Sequence, residues 1–237
     1  MNMKDYLVSS ISEYKIKLSN QQISQLELYY QLLVEWNEKI NLTAITDAQG
    51  VAVKHFADSL SMLNYINLPQ NAKVIDIGTG AGFPGIVLKI ARPDIQLTLL
   101  DSLKKRFIFL EEVCKEISID AVMLQGRAEE FGQSIDYRES YDLAVSRAVA
   151  RLNVLSEYAI PFVRLSGKFV AFKSGNSADE IQNAKKSVQT LGGKVIGIHD
   201  FELPYEGGSR TLVEVEKINP TPEKYPRNNG KIKSKPL

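Results

Sequence analysis

A short aliphatic run leads into a glycine-rich turn in the segment Val74-Ile-Asp-Ile-Gly-Thr-Gly-Ala-Gly-Phe-Pro-Gly85. This order is typical of a buried strand, a tight turn and the start of a helix. Ligands of open α/β sheets bind outside the carboxyl ends of the strands, where such turns lie. Glycine has no Cβ, so a ligand can approach the backbone closely. The segment therefore predicts a ligand site on an α/β fold.

Seven short aliphatic runs follow one another from Lys73 onward, and helix-length amphipathic segments separate most of them. They are KVIDIG, IQLTLLD, AVMLQ, YDLAVS, GKFVAFK, KVIGIHDF and RTLVEVEK. This alternation predicts a doubly wound, seven-stranded, mostly parallel sheet with a Rossmann-like order of elements. Only Glu202 to Ser209 separates the last two runs, so we expect them to form an antiparallel pair at one sheet edge.

The residues before this sheet show helical periodicity. Behind the N-cap signal at Ser19, apolar residues recur at three- and four-residue spacing as far as Ile40, and a second helical pattern begins near Asp47. We expect three parts: an N-terminal helical region over residues 1–70, a sheet domain over residues 71–218 on which that region packs, and a tail over residues 219–237.

Composition excludes several classes of protein. Hydrophobic residues make up 44% of the 237 residues and charged residues 24%, values typical of a globular chain. Cys114 is the single cysteine, so neither a disulfide framework nor a cysteine-based metal site is expected, and we predict no metal. There is no apolar run of about 18 residues, and the start MNMKDYLVSS lacks the order of a secretory signal. We therefore expect a cytoplasmic protein with no membrane partner.

The tail is basic although the whole chain has a net charge of only +1. Between Lys217 and Leu237, six basic residues stand against Glu223 alone, a net charge of +5. Such a segment is attracted to phosphates, and its tyrosine could stack on an unpaired base. The tail residues predicted to bind RNA are Lys224, Arg227, Lys231 and Lys233. The alternative is a solvated, disordered terminus.

The glycine-rich turn does not match a nucleotide-diphosphate or triphosphate site. A dinucleotide motif has glycines at positions i, i+2 and i+5. If Gly78 is position i, Gly80 stands correctly at i+2, but Phe83 occupies i+5, where the third glycine should be. No Gly-Lys-Ser/Thr follows, so a P-loop is excluded as well.

Two carboxylates accompany the turn. Asp101 ends the second strand, where a carboxylate can accept both hydrogen bonds of a ribose diol. Asp76 precedes the first glycine by two residues, and we expect it nearer the cationic end of the ligand. The alternative is that both aspartates only cap the helices that follow.

An acid followed by alternating glycines, with an acid ending the next strand, resembles the S-adenosylmethionine site of class I methyltransferases. Further motifs narrow this to a resemblance to the RsmG family, also called glucose-inhibited division protein B. They are Asn41-Leu-Thr43, His55-Phe-Ala-Asp-Ser-Leu60, Asp76 to Gly85, Asp101-Ser-Leu-Lys-Lys-Arg106, Gly126-Arg-Ala-Glu129, Ser146-Arg-Ala-Val149 and Lys224-Tyr-Pro-Arg227. They cover nearly the whole chain in order.

The resemblance implies S-adenosylmethionine-dependent methylation of guanine N7 in 16S (small-subunit) ribosomal RNA. It also implies that the cofactor is contacted by Gly78 and Phe83 of the turn, Ala128 and Glu129 after the third strand, and Arg147 after the fourth. Gly80 joins this set as part of the turn, and Asp101 through the ribose argument. The expected partner is small-subunit ribosomal RNA or the assembling 30S particle, and we expect a monomer.

The residues themselves fit an N7 reaction. Methylation of an exocyclic amine is not supported, because Ser146-Arg-Ala-Val149 stands where such enzymes carry an Asp/Asn-Pro-Pro-Tyr pattern. C5 methylation of a pyrimidine, which needs a thiolate nucleophile, is not supported either, because Cys114 lies in a helix far along the sequence from any strand end. Guanine N7 already presents a lone pair, so we predict that no side chain acts as a general base and that positioning is the main requirement. Arg147 is the candidate for orienting either the cofactor carboxylate or guanine O6. The alternative for Arg147 is a surface salt bridge, and neither His55 nor His199 receives a chemical role.

Other functions remain open at this point. A class I methyltransferase of a protein or small molecule would share the turn. An RNA-binding ribosome assembly factor could keep the cofactor fold without turnover. A nicotinamide dehydrogenase is disfavoured by the missing third glycine.

Overall fold

A computed structural model describes residues 1–14 and 16–237 of the chain. The sheet has seven strands: β1 (Lys73–Ile77), β2 (Gln96–Asp101), β3 (Ala121–Gln125), β4 (Tyr141–Arg147), β5 (Val163–Ser174), β6 (Gly193–Leu203) and β7 (Gly208–Lys217). Their order across the sheet is β3-β2-β1-β4-β5-β7-β6. The first five strands are parallel, and β7 pairs antiparallel with both β5 and β6. The predicted doubly wound sheet and its antiparallel edge pair are confirmed.

Among residues 1–14 and 16–72, three helical segments precede the sheet. They are α1 (Met3–Glu13), α2 (Asn20–Asn37) and α3, a continuous run made of Ala48–Gly50, Val51–Ala57, Asp58–Ser61 and Met62–Asn64, of which Val51–Ala57 is π-helical. The predicted cap at Ser19 is confirmed, since its hydroxyl accepts from the amide of Gln22 and the Gln22 side chain accepts from the amide of Ser19. This reciprocal capping satisfies two amides that the first helical turn would leave unpaired.

The remaining helices lie between strands or follow them. They are α4 (Gly85–Ala91), α5 (Lys104–Glu116), α6 (Ala128–Phe131), α7 (Leu152–Ala159), α8 (Ala178–Thr190) and α9 (Asn229–Ser234), with a 3₁₀ turn at Ile160–Phe162.

The two faces of the sheet have separate apolar cores, and the N-terminal helices belong to one of them. Leu7 of α1, Leu26 of α2 and Phe56 of α3 are fully buried in the same cluster as Val74 and Leu99 of the sheet. The other face packs against α7 and α8. Since α2 contacts α4 and α5, the N-terminal region packs against the helices that follow β1 and β2.

The tail packs against the domain. Tyr225 and Ile232 are buried within the second core, and α9 contacts α7. Within residues 1–14 and 16–237, no helix is both long and apolar enough to cross a membrane. Across the same residues, no group of three or more His, Cys, Asp or Glu side chains is placed to hold a metal ion.

Candidate active site

A cavity of about 870 Å³ opens at the carboxyl ends of β1, β2, β4 and β5. That volume is within the range of small-molecule and cofactor sites. All seven residues that the sequence nominated for the cofactor line it: Gly78, Gly80, Phe83, Asp101, Ala128, Glu129 and Arg147. The fold thus brings together residues from four separate segments of the chain.

The glycine-rich turn presents bare backbone to this cavity. Gly78 and Gly80 both have positive φ, at 70° and 62°, a region that other residues adopt at a cost. A Cβ added to Gly80 would meet no atom closer than the Gly78 carbonyl oxygen at 3.9 Å. The space beside Gly80 is therefore free for a ligand to lie against the main chain.

Asp101 sits beside the turn at the end of β2. Its Oδ2 accepts from the Gly80 amide at 3.0 Å and from Arg106 Nη1 at 2.7 Å, and its Oδ1 accepts from the Leu103 amide at 3.0 Å. A carboxylate has about four acceptor sites, so a further hydrogen bond from a ligand hydroxyl is available. Glu129, with its side chain 10% exposed, adds a second carboxylate to the wall. The turn and both acids fit an adenosine-type ligand.

Asp76 has a different role from the one predicted. It is fully buried and is not among the residues that line the cavity. Its Oδ2 accepts from Thr79 Oγ1 at 2.7 Å and from the Gly85 amide at 2.8 Å. Burial raises the pKa of this carboxyl to about 6. Because its hydrogen bonds join the turn to the start of α4, Asp76 shapes the turn from below, and its expected place near a cationic ligand group is corrected.

Arg147 connects β4 to the N-terminal helices. Its Nη1 donates to Asp58 Oδ2 at 2.8 Å and to the Lys54 carbonyl oxygen at 3.0 Å, and only 13% of its side chain is exposed. Arg210 Nε lies 3.4 Å from the other oxygen of Asp58. This is a buried cluster rather than the surface salt bridge weighed above. Neither Asp58 nor Arg210 was predicted as a partner of this site. Asp58 lies 89 residues from Arg147, so no local pattern in the sequence pairs the two.

Aromatic rings tie the turn to the same helices. Phe83 stacks between Tyr29 and His55, at centroid distances of 5.3 and 4.6 Å, and the Arg147 guanidinium lies 5.1 Å from its ring centre. The Tyr29 hydroxyl donates to the carbonyl of Ala81 within the turn. Burial, together with Arg147, lowers the pKa of His55 to about 3. The N-terminal region therefore forms one wall of the cavity, a role that helical periodicity alone did not indicate.

The cavity wall carries more basic than acidic side chains. The basic ones are Lys54, Arg106, Arg127, Arg147, Lys173, Arg210 and Lys233, and the acidic ones are Asp58, Asp101, Glu129 and Glu180. Asp58 and Glu180 are ion-paired with Arg147 and Lys173, so the part of the wall away from Asp101 is positive overall. Such a wall attracts a phosphate-bearing substrate.

The four tail residues predicted to bind RNA have three different placements. Lys224 and Lys231 are exposed, and Lys233 lines the cavity. The Arg227 guanidinium donates to both oxygens of the buried Glu157. Arg227 thus already has a partner within the chain, and its contact with RNA stays a prediction.

Comparison with known proteins identifies the family. The family model described as "rRNA small subunit methyltransferase G" matches residues 22–213. Relatives with the name ribosomal RNA small subunit methyltransferase G include those of Alkaliphilus oremlandii (strain OhILAs), 48% identical over 100% of both chains, and of Bacillus subtilis (strain 168), 44% identical over 100% of this chain and 99% of the other.

Solved structures share the fold at low identity. A methyltransferase from Pyrococcus furiosus gives a TM-score of 0.55 at 13% identity, covering 80% of this chain and 95% of the other. TYW2 of M. jannaschii in complex with AdoMet gives a TM-score of 0.55 at 16% identity, covering 74% and 80%. These neighbours support the class I methyltransferase fold. With the family model covering most of its length and relatives matching it end to end, the chain belongs to the rRNA small subunit methyltransferase G family.

Proposed function

We propose that this chain transfers a methyl group from S-adenosylmethionine to N7 of a guanine in 16S ribosomal RNA. The observation that carries the proposal is the convergence, in one cavity, of a glycine turn, two carboxylates and a positively charged wall. Membership of the rRNA small subunit methyltransferase G family gives the substrate class. RNA-binding without turnover, and methylation of a protein or small molecule, are the alternatives.

The residues that would hold the cofactor are the seven that line the cavity from the predicted set. Gly80 offers open backbone, whereas a Cβ on Gly78 would meet Val149 Cγ2 at 2.6 Å. Asp101 and Glu129 offer acceptors for the ribose hydroxyls. Ala128 and Phe83 supply apolar surface. When bound, S-adenosylmethionine supplies an activated methyl group on a sulfonium. Arg147, which also lines the cavity, would orient either the cofactor carboxylate or guanine O6.

The protein's contribution to the chemistry is positioning, with no proton removed from the base. His55 lines the cavity, but its pKa of about 3 makes it a poor proton acceptor at neutral pH. Burial raises the pKa of the Cys114 thiol to about 12, so it is not a thiolate nucleophile. Both observations support a reaction in which the N7 lone pair attacks without a general base.

The RNA is expected to lie along the basic wall and the exposed tail cations. Lys54, Arg147, Lys173 and Arg210 line the cavity, and Lys224 and Lys231 extend positive charge along the tail. Arg227 is proposed to contribute to RNA binding as well, through its ion pair with Glu157, which keeps the tail docked on the domain. We further propose that the chain works as a monomer in the cytoplasm, on free small-subunit RNA or the assembling 30S particle.

The test is transfer of labelled methyl from S-adenosylmethionine to ribosomal RNA that lacks its native methylations, followed by identification of the labelled nucleoside by mass. We expect label in 7-methylguanosine from 16S RNA. Cofactor binding without methyl transfer would instead favour the assembly factor, and label in a protein or small molecule would refute the RNA assignment. Binding of NADH would contradict the cofactor assignment.

A further inference from the structure

The basic tail is fastened to the catalytic domain by an ion pair between Arg227 and a buried glutamate, Glu157. Glu157 on α7 has no exposed surface, and its carboxylate accepts from Arg227 Nε at 2.8 Å and Nη2 at 2.6 Å. The same carboxylate accepts from the Arg227 backbone amide at 2.8 Å. A bidentate pair with a third hydrogen bond to the main chain fixes the tail in position as well as orientation.

A second set of contacts fastens the tail to the end of α6. Arg138 donates to the carbonyl oxygens of Thr221 at 2.6 Å and Tyr225 at 2.7 Å, and also to that of Gly132, which follows α6, at 3.0 Å. Gln133 Nε2 donates to the Pro226 carbonyl oxygen at 2.9 Å. Since α6 begins at Ala128, these contacts place the tail beside the cavity end that Ala128 and Glu129 line.

The tail then contributes its own side chains to that end of the cavity. Tyr158 on α7 donates from its hydroxyl to Asn229 Oδ1 at 2.6 Å, and Tyr158, Asn229 and Lys233 all line the cavity. Ile232, between the two tail residues, is fully buried and anchors α9. The charge of Glu129 contributes to the raised pKa of Tyr158, after burial itself, so the two side chains are near each other.

We infer that α9 is part of the cofactor site, with Asn229 and Lys233 binding the nucleoside half of S-adenosylmethionine. This inference rests on the proposed function and changes the tail from an RNA clamp alone into a wall of the cofactor pocket. The ring nitrogens of adenine accept hydrogen bonds, which amide and ammonium groups donate. Asn229 uses its oxygen for Tyr158, so its Nδ2 group is the one available to a ligand.

The test measures S-adenosylmethionine binding by calorimetry in the absence of RNA, on the full chain. Asn229→Ala and Lys233→Ala are each expected to raise the Kd roughly five-fold, which corresponds to the net free energy of one lost hydrogen bond. The matched control is Lys235→Ala, which removes the same charge from an exposed residue of the tail that does not line the cavity. Thermal melting of each variant checks that α9 stays docked.

The outcomes separate the inference from the function on which it rests. A Kd raised by Asn229→Ala and Lys233→Ala but not by Lys235→Ala supports the inference. Wild-type affinity in both cavity variants, or equal weakening in all three, would overturn it while leaving the proposed function intact. If the wild-type chain itself bound no S-adenosylmethionine, the proposed function would fail at the first titration.

Discussion

Replacing Gly80 by alanine tests whether the glycine turn is a ligand cradle. Gly80 has a φ of 62°, which costs an alanine about 1 kcal/mol of folding free energy. The added methyl group would clash with nothing in the protein, because its nearest neighbour would be the Gly78 carbonyl oxygen at 3.9 Å. It would instead occupy the cavity, where the ligand should lie.

The two effects have different expected sizes. A loss of about 1 kcal/mol lowers the Tm of a chain of this length by about 2–4 °C. Forcing an extra methyl group into a close-packed contact costs about 1–3 kcal/mol, so we expect the Kd for S-adenosylmethionine to rise about ten-fold. Calorimetric titration and thermal melting of Gly80→Ala measure both quantities on the same sample.

The matched control is Gly208→Ala. Gly208 also has a positive φ, at 88°, and does not itself line the cavity. A Cβ there would meet only the flexible end of Arg210, with Nη1 at 3.6 Å, which is an ordinary van der Waals contact. It should lower the Tm similarly and leave cofactor affinity unchanged. If Gly80→Ala bound the cofactor as tightly as wild type, the reasoning that this backbone faces the ligand would be refuted.

Three further predictions concern charge. Folding lowers the pKa of His55 from 6.5 to about 3, so below pH 6.5 the unfolded chain binds a proton that the folded chain does not, and the free energy of unfolding falls. Between pH 7 and pH 5, the free energy of unfolding of the wild type should therefore fall by about 2 kcal/mol more than that of His55→Gln. Urea titrations that give equal losses for the two proteins would contradict this. Glu157→Gln should lower the free energy of unfolding by about 3 kcal/mol, because it breaks the ion pair between Arg227 and the fully buried Glu157. A change below about 1 kcal/mol would show that water screens the pair. Arg147→Lys keeps the charge but cannot reproduce both hydrogen bonds, to Asp58 and to the Lys54 carbonyl oxygen, so kcat/KM for RNA should fall on the order of ten-fold. An unchanged kcat/KM in steady-state kinetics would show that Arg147 does not act in the site.

Much of the fold follows from local patterns. The spacing of apolar residues behind Ser19 predicted α2 and its cap, and the seven aliphatic runs predicted the seven strands. These signals are readable because helix and strand periods are properties of a few consecutive residues. The convergence of the residues predicted to contact the cofactor could also be foreseen. The turn at Gly78 and Gly80 and the acid at Asp101 follow strand ends, and parallel strand ends meet at one edge of a sheet. Their contact with the cofactor stays a prediction.

What the sequence alone determined is therefore the order of elements, the glycine turn and the family. Tertiary structure alone decided which distant charges meet: Arg147 with Asp58 of the N-terminal helices, and Arg227 with Glu157 beneath the tail. It also decided that Asp76 lies under the turn rather than in the cavity. The physical reason is that such partners are selected by packing between segments 70 to 89 residues apart, where no local period connects one residue to the other. Residues from both ends of the chain therefore line the cavity, although the residues predicted to contact the cofactor all come from its middle.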